Sequence, residues 1–186
     1  MTESPQAPRT LFLVRHGQCT YNVDGRVPGQ ANPPLTVLGL QQATDAAARL
    51  RDSGARWVIS SDLDRAVGTA EVIADALGLP VDIDPDLREQ DAGDLEGRSY
   101  RDLKALDTPP GVHLHDVRWG GGESVSDVHA RVRRFFERLD AREPGAVVLV
   151  SHAHTIQIAR AYLAGLSAYD VEWNELPNGG IVTLTR

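Results

Sequence analysis

Two histidines stand at the same kind of position in the chain. Two of its most apolar runs end Leu13-Val14-Arg15-His16-Gly17 and Leu149-Val150-Ser151-His152-Ala153. A third run ends Ile59-Ser60-Ser61-Asp62, and Arg65 follows three residues later. An imidazole can attack an electrophile or carry a proton near neutral pH. A guanidinium offers a planar fork that matches phosphate oxygens. If the three runs are neighbouring parallel strands, their carboxyl ends bring two imidazoles and two arginines to one edge, where ligands of open α/β sheets bind. That set suits a bound phosphate. Each residue taken singly has a plainer reading. A histidine at a strand end is commonly structural, Arg65 could be a surface charge on a helix, and Asn22 a loop residue. The joint pattern carries the argument.

The elements that must position these groups are legible in the pattern. Residues 10–14 (TLFLV), 57–60 (WVIS) and 146–150 (AVVLV) are short, β-rich and unalternating, as in strands buried on both faces. Short strands are also predicted at 81–83 and 181–185, the last at a possible sheet edge. Thr36 reads as an N-cap, with an apolar stripe through Leu38, Leu40, Ala43, Ala47 and Leu50 that ends before Gly54. Further helices are predicted over 64–77, closed by Gly78, over 124–141, with Ser124 and Asp127 as its cap, and over 155–164. Residues 23–34 read as loop and 103–122 as mostly irregular. Strands alternating with helices predict an α/β fold: a three-layer sandwich with a mostly parallel central sheet and helices on both faces.

Composition narrows the function classes. The chain has 186 residues, a net charge of −7 and one cysteine, Cys19. The negative charge argues against nonspecific binding to nucleic acid or anionic membranes, so any anion site must be a local cluster of cations. A lone cysteine forms no internal disulfide and fits a reducing compartment. No apolar run approaches the roughly 20 residues that span a bilayer. Residues 1–9 are polar, carry two prolines and lack the apolar core of a signal peptide, so they read as a flexible tail. The expectation is one cytoplasmic catalytic domain over 10–186. A homodimer is possible, and the sequence leaves the oligomeric state open.

The chain resembles the histidine phosphatase superfamily, in its phosphoglycerate-mutase-like branch, through five blocks in the family's order. Arg15-His16-Gly17-Gln18-Cys19-Thr20-Tyr21-Asn22 is similar to the first signature. Pro34-Leu35-Thr36, with Gly39, Gln42 and Ala43, is similar to the second. Ser60-Ser61-Asp62-Leu63, with Arg65, Ala66, Thr69 and Ala70, resembles the third. Leu87-Arg88-Glu89, with Gly93, Glu96 and Gly97, resembles the acid-bearing segment. Gly121-Gly122-Glu123-Ser124 and Val150-Ser151-His152 complete the order. The resemblance implies His16 as nucleophile, Glu89 as proton donor and acceptor, and His152 as a further catalytic group. It also implies phosphate binding by Arg15, Asn22, Arg65, His152 and Ala153. Three departures stand near these positions. Ala153 replaces the usual glycine after the second histidine, Cys19 fills a variable place, and Asn32-Pro33-Pro34 replaces a more usual Asp-x-Pro.

The implied activity is metal-independent hydrolysis of a small phosphomonoester through a phosphohistidine, of the histidine acid phosphatase type. It needs no cofactor and releases inorganic phosphate. His16 must then be neutral at its attacking nitrogen, with the other nitrogen donating to a backbone carbonyl. A protonated His152 would add a third positive charge, and burial beside the phosphate would raise the Glu89 pKa. Val27, Pro28, Tyr100, Trp119 and His154 are expected on the alcohol side, from loop position. Other readings are a cofactor-dependent phosphoglycerate mutase and a binding module without turnover. A third is a metal-dependent hydrolase using His152 and His154, in which Arg15 and Arg65 would crowd the cation. His113, His115 and Asp116 form a second cluster, either a polar loop or a substrate-side group.

Overall fold

A computed structural model of the chain describes residues 9–103 and 107–186. Residues 1–8 of the expected tail therefore lie outside the described residues, as does Lys104. Arg9 belongs to the fold. It is buried, donating to the carbonyls of Leu139 (2.6 Å), Arg142 (2.9 Å) and Glu143 (3.0 Å).

Five strands form one sheet: β1 (Thr10–Arg15), β2 (Ala55–Ser60), β3 (Val81–Ile83), β4 (Ala146–Ser151) and β5 (Ile181–Thr185). Their order is β3-β2-β4-β1-β5. All pairs are parallel except β1–β5, which puts β5 antiparallel at an edge. Helices α2 (Val37–Leu50) and α3 (Asp64–Leu77) cover one face. Helices α5 (Val125–Asp140) and α6 (Ala153–Leu163) cover the other. This is the three-layer α/β arrangement read from the sequence.

The unalternating strands are explained by this layering. Leu11, Leu13, Val147 and Leu149 enter the core with Phe135, Phe136 and Ile158. Val14, Val148 and Val150 enter the opposite core with Ala46, Ala70 and Ile73. Alternate residues of β1 and β4 thus serve the two faces, so both runs are apolar between their ends. Small residues on α2 and α3, among them Ala43, Ala47, Ala66 and Ala74, let those helices pack against each other and the sheet.

Helix ends follow their caps. The Thr36 side chain accepts from the Gly39 amide at 3.0 Å, and Ser124 and Asp127 form a reciprocal capping box. Helix α6 begins at Ala153, two residues before the sequence expectation, because extended His152 itself serves as its N-cap. Two short helices, α1 (Thr20–Asp24) and α4 (Tyr100–Leu103), were not expected; they are too short to show a periodic stripe.

Candidate active site

Strands β1 and β4 are neighbours in register, with Arg15 opposite Ser151, so the residues that follow emerge side by side. The rings of His16 and His152 lie with centroids 5.0 Å apart, and both are buried. Strand β2 runs beside β4 and delivers Ser61 to the same rim, where its Oγ meets His152 Nε2 at 2.9 Å. Helix α3 then turns Arg65 back onto the site. Its side chain is fully buried, and its Nε donates to His16 Nε2 at 3.3 Å.

The first loop is folded tightly around these groups. His16 Nδ1 lies 2.6 Å from the Gly17 carbonyl oxygen. A carbonyl only accepts, so Nδ1 carries the proton and Nε2 keeps its lone pair. Gly17 also passes against Gly39 of α2: a Cβ on either residue would collide with backbone. That requirement explains a glycine in each of the first two blocks. The Gly17 amide donates to Thr69 Oγ1 (3.0 Å), whose hydroxyl donates to the Arg65 carbonyl (2.7 Å), linking β1 to α3.

The electrostatics follow from burial among cations. Burial first, then Arg65, pushes the His16 pKa well below its ordinary value, despite the Gly17 hydrogen bond. Burial, Arg65 and His16 do the same to His152. Among these protein groups both imidazoles are therefore held neutral near pH 7. A third positive charge on His152 therefore needs a phosphate beside it, because a buried imidazolium facing Arg65 alone would be desolvated and repelled. Ser61 Oγ already accepts from the Leu63 amide (3.2 Å), so its own proton is available for His152 Nε2.

The arginines differ from the simple forks expected. Arg65 donates one bond from each terminal nitrogen, to the Ala31 (2.6 Å) and Gly29 (2.7 Å) carbonyls, and turns Nε toward His16. Arg15 donates to the Leu176 carbonyl at 2.6 Å, and its Nε is buried without a partner. His152 Nδ1 is likewise buried and unpartnered. Polar atoms orphaned in this way are costly, and they lie among two guanidinium groups, a setting that favours an anion. Asn22 commits Oδ1 to Cys19 and Asn178, leaving Nδ2 for a ligand.

Glu89 sits at the N-terminus of α6. Its carboxylate receives the Gln90 amide at 2.9 Å and the His154 and Thr155 amides at 3.4 Å each. Burial pushes its pKa up, but His154, the Gln90 amide and Arg65 outweigh it and hold the carboxyl below the usual range. The rise expected from the sequence was tied to phosphate beside the carboxyl, and the protein groups alone hold it low. Other carboxylates of the segment have separate duties: Glu96 holds the Gln30 amide (2.6 Å), and Asp86 pairs with Arg134 and Arg138. Asp91 faces the cavity beside Glu89, while its Oδ1 accepts the Gly93 amide.

These groups open on a cavity of about 280 Å³. Arg15, His16, Asn22, Glu89 and Ala153 line it, and so do Val27, Pro28, Tyr100, Trp119 and His154. The two histidines of the metal-hydrolase reading diverge. His152 is buried beside His16, while exposed His154 packs on Trp173 at 5.1 Å. Among the described residues no group of three His, Cys, Asp or Glu is arranged to hold a metal.

Sequence reasoning missed several supports. Asn178 donates to the His16 carbonyl (3.1 Å), and only its place before Gly179-Gly180 marks a turn. Arg131 of α5 is buried and paired with Glu123 (2.9 Å). It also donates to the Asp86 (2.7 Å) and Glu89 (3.1 Å) carbonyls, while Glu123 receives the Asp91 amide (3.0 Å). This pair clamps the segment bearing Glu89. We expect Arg131→Met to lower stability by about 3 kcal/mol, since it strands a half-buried carboxylate. The variant should also weaken turnover of alkyl phosphates more than of nitrophenyl phosphate. Equal losses on both esters would show that the clamp acts on stability alone.

Comparison with known proteins agrees with the geometry. A Mycobacterium tuberculosis protein named glucosyl-3-phosphoglycerate phosphatase is 38% identical over 192 residues, covering 96% of this chain and 84% of that protein. An Erwinia tasmaniensis protein named probable phosphoglycerate mutase GpmB is 38% identical over 163 residues, covering 85% and 76%. The solved α-ribazole phosphatase of Shigella flexneri superposes with a TM-score of 0.83 at 32% identity, covering 94% of this chain and 89% of that one. Residues 11–186 match the histidine phosphatase superfamily, branch 1, and the chain belongs to that family.

Proposed function

We propose that this protein is a metal-independent phosphomonoesterase that works through a phosphohistidine on His16. The observation that carries the reading is the neutral His16 Nε2, set beside Arg65 Nε, with unpartnered Arg15 Nε and His152 Nδ1 buried nearby. A phosphate dianion placed there satisfies the orphaned donors and meets two permanent positive charges.

Phosphoryl transfer passes through a loose, in-line transition state with charge on three equatorial oxygens. Catalysis is then mostly positioning and fixed electrostatics. His16 Nε2 attacks phosphorus as the ester oxygen leaves toward the Glu89 end of the cavity. Gly17 holds the Nδ1 proton and so steadies the developing positive charge on the ring. The arriving dianion favours a proton on both His152 and Glu89, opposing the protein groups that hold both pKa values low. Glu89 then protonates the alkoxide. In the second half, Glu89 takes a proton from water, which attacks the phosphohistidine and releases inorganic phosphate. The substrate is a small phosphomonoester: a phosphorylated sugar, sugar acid or cofactor precursor.

Hydrolysis is favoured over mutase action by the cavity wall. A mutase must retain its phosphorylated product and keep water from the phosphohistidine. Arg15 is the one arginine or lysine that lines the cavity among the described residues. Arg98 and Arg101 are exposed, and Arg118 pairs with Asp127 at the surface. With 3-phosphoglycerate, with or without the 2,3-bisphosphate, phosphate release should outrun isomerisation. Isomerisation faster by orders of magnitude would overturn the phosphatase assignment.

A further inference from the structure

A turn from the far end of the chain is folded against the loop that carries His16. Residues 176–180 (LPNGG) lead into β5. The Gly180 amide donates to the Pro177 carbonyl at 2.9 Å, which closes the turn. Gly179 adopts a φ of +71°, and a Cβ there would come within 2.9 Å of the Gln42 Cβ, so glycine suits the position twice over. The Arg15 guanidinium donates to the Leu176 carbonyl at 2.6 Å, and the Gly179 amide donates to the Arg15 carbonyl at 3.0 Å. The turn is thereby fixed to the residue before His16.

Asn178 stands in the middle of this turn. Its Nδ2 donates to the His16 carbonyl at 3.1 Å and to Asn22 Oδ1 at 3.2 Å. The partners determine which amide atom is which. A carbonyl only accepts, so the Asn178 atom facing His16 is the NH2 group. The Cys19 backbone amide only donates, so the Asn22 atom it meets at 3.0 Å is the oxygen. Cys19 Sγ donates to the same oxygen at 3.1 Å. Cys19 caps the short helix α1 that carries Asn22, so its bonds move with that helix. The Asn178 bond instead ties Asn22 to a separate element, and the same NH2 group also holds the His16 backbone. Asn22 lines the cavity and Asn178 does not, so Asn178 acts on a bound group through its neighbours.

We propose that Asn178 is a positioning residue of the phosphoryl site: it fixes Asn22 relative to His16, so that the Asn22 amide nitrogen meets the phosphoryl group as His16 attacks. The inference rests on the phosphatase reading and on Asn22 as one of the phosphate ligands. Without the Asn178 side chain, the His16 carbonyl keeps the Gly179 amide at 3.2 Å. The main consequence therefore falls on Asn22, which loses its tie to the turn. Small displacements of a positioning group are costly when catalysis depends on aligned contacts.

A double-mutant cycle tests this. Turnover of nitrophenyl phosphate and binding of inorganic phosphate are measured on the unsubstituted protein, Asn178→Ala, Asn178→Asp, Asn22→Ala and the double variant Asn22→Ala with Asn178→Ala. Asn178→Ala should lower kcat/KM and phosphate affinity by about tenfold each, as for a lost hydrogen bond at a charged ligand. Asn178→Asp keeps the size of the side chain but sets an acceptor against two oxygens, so it should cost at least as much. In the Asn22→Ala background, Asn178→Ala should change either quantity by less than about twofold, since the amide that it places is gone. Equal losses in both backgrounds would assign Asn178 to the stability of the turn and overturn the proposal. Asn178→Asp matching the unsubstituted protein would overturn it as well, because shape alone would then suffice. Coupling of Asn178 to Asn22 in phosphate binding, with no ester hydrolysed, would support the positioning role and overturn the phosphatase reading instead.

Discussion

His16→Ala should lower phosphate release from every phosphomonoester by at least about 10⁴-fold, because no neighbouring side chain can replace the attacking nitrogen. In barrier terms that is about 5.5 kcal/mol. His152 is the other nitrogen base within reach, but its Nε2 is engaged by Ser61. The binding groups survive the substitution, since Arg15 and Arg65 are anchored to the carbonyls of Leu176, Ala31 and Gly29 and not to His16 alone. The variant should therefore keep a native circular dichroism spectrum and bind inorganic phosphate. Substantial residual turnover with a native spectrum would place the nucleophile elsewhere.

Glu89→Gln should discriminate between leaving groups. An alkoxide needs a proton in the transition state, whereas nitrophenolate hardly does, and general acid catalysis is typically worth about 10²–10⁴-fold. Glutamine keeps an acceptor for the Gln90 and Thr155 amides and removes the proton. The phosphorylation rate of an alkyl ester should then fall by about 10²-fold or more, and that of the nitrophenyl ester far less. The free carboxyl is held below the usual range, so its proton depends on bound phosphate. Equal losses on both esters would remove Glu89 as the acid and turn attention to Asp91 in the same cavity wall.

The sequence disclosed the frame of this site better than its electrostatics. Strands β1 and β4 were visible because burial on both faces forces continuous apolar runs, and their ends fixed where His16 and His152 emerge. Val27, Pro28, Tyr100, Trp119 and His154, expected on the alcohol side from loop position, line one cavity with His16. Charge states were not legible in that way. A local pattern holds no measure of burial, so neutral His152 and the depressed Glu89 pKa emerged only with Arg65, Ser61 and the α6 amides in place. The clamp of Arg131 on Glu123 was hidden for a related reason. Arg131 looks like any charge on an amphipathic helix until α5 is docked under the acid-bearing segment. The short helices α1 and α4 have no stripe to show, and Asn178 reaches the site across more than 150 residues of chain.

The central claim is that the phosphoryl group rests on His16, and rapid quenching tests it most directly. A radiolabelled phosphomonoester mixed with the protein in the presence of chelator should yield a labelled phosphoenzyme. Its P–N bond should be labile in acid and durable in alkali, the label should map to His16, and His16→Ala should acquire none. An acid-stable adduct, a label on another residue, or loss of the adduct with chelator would contradict the account.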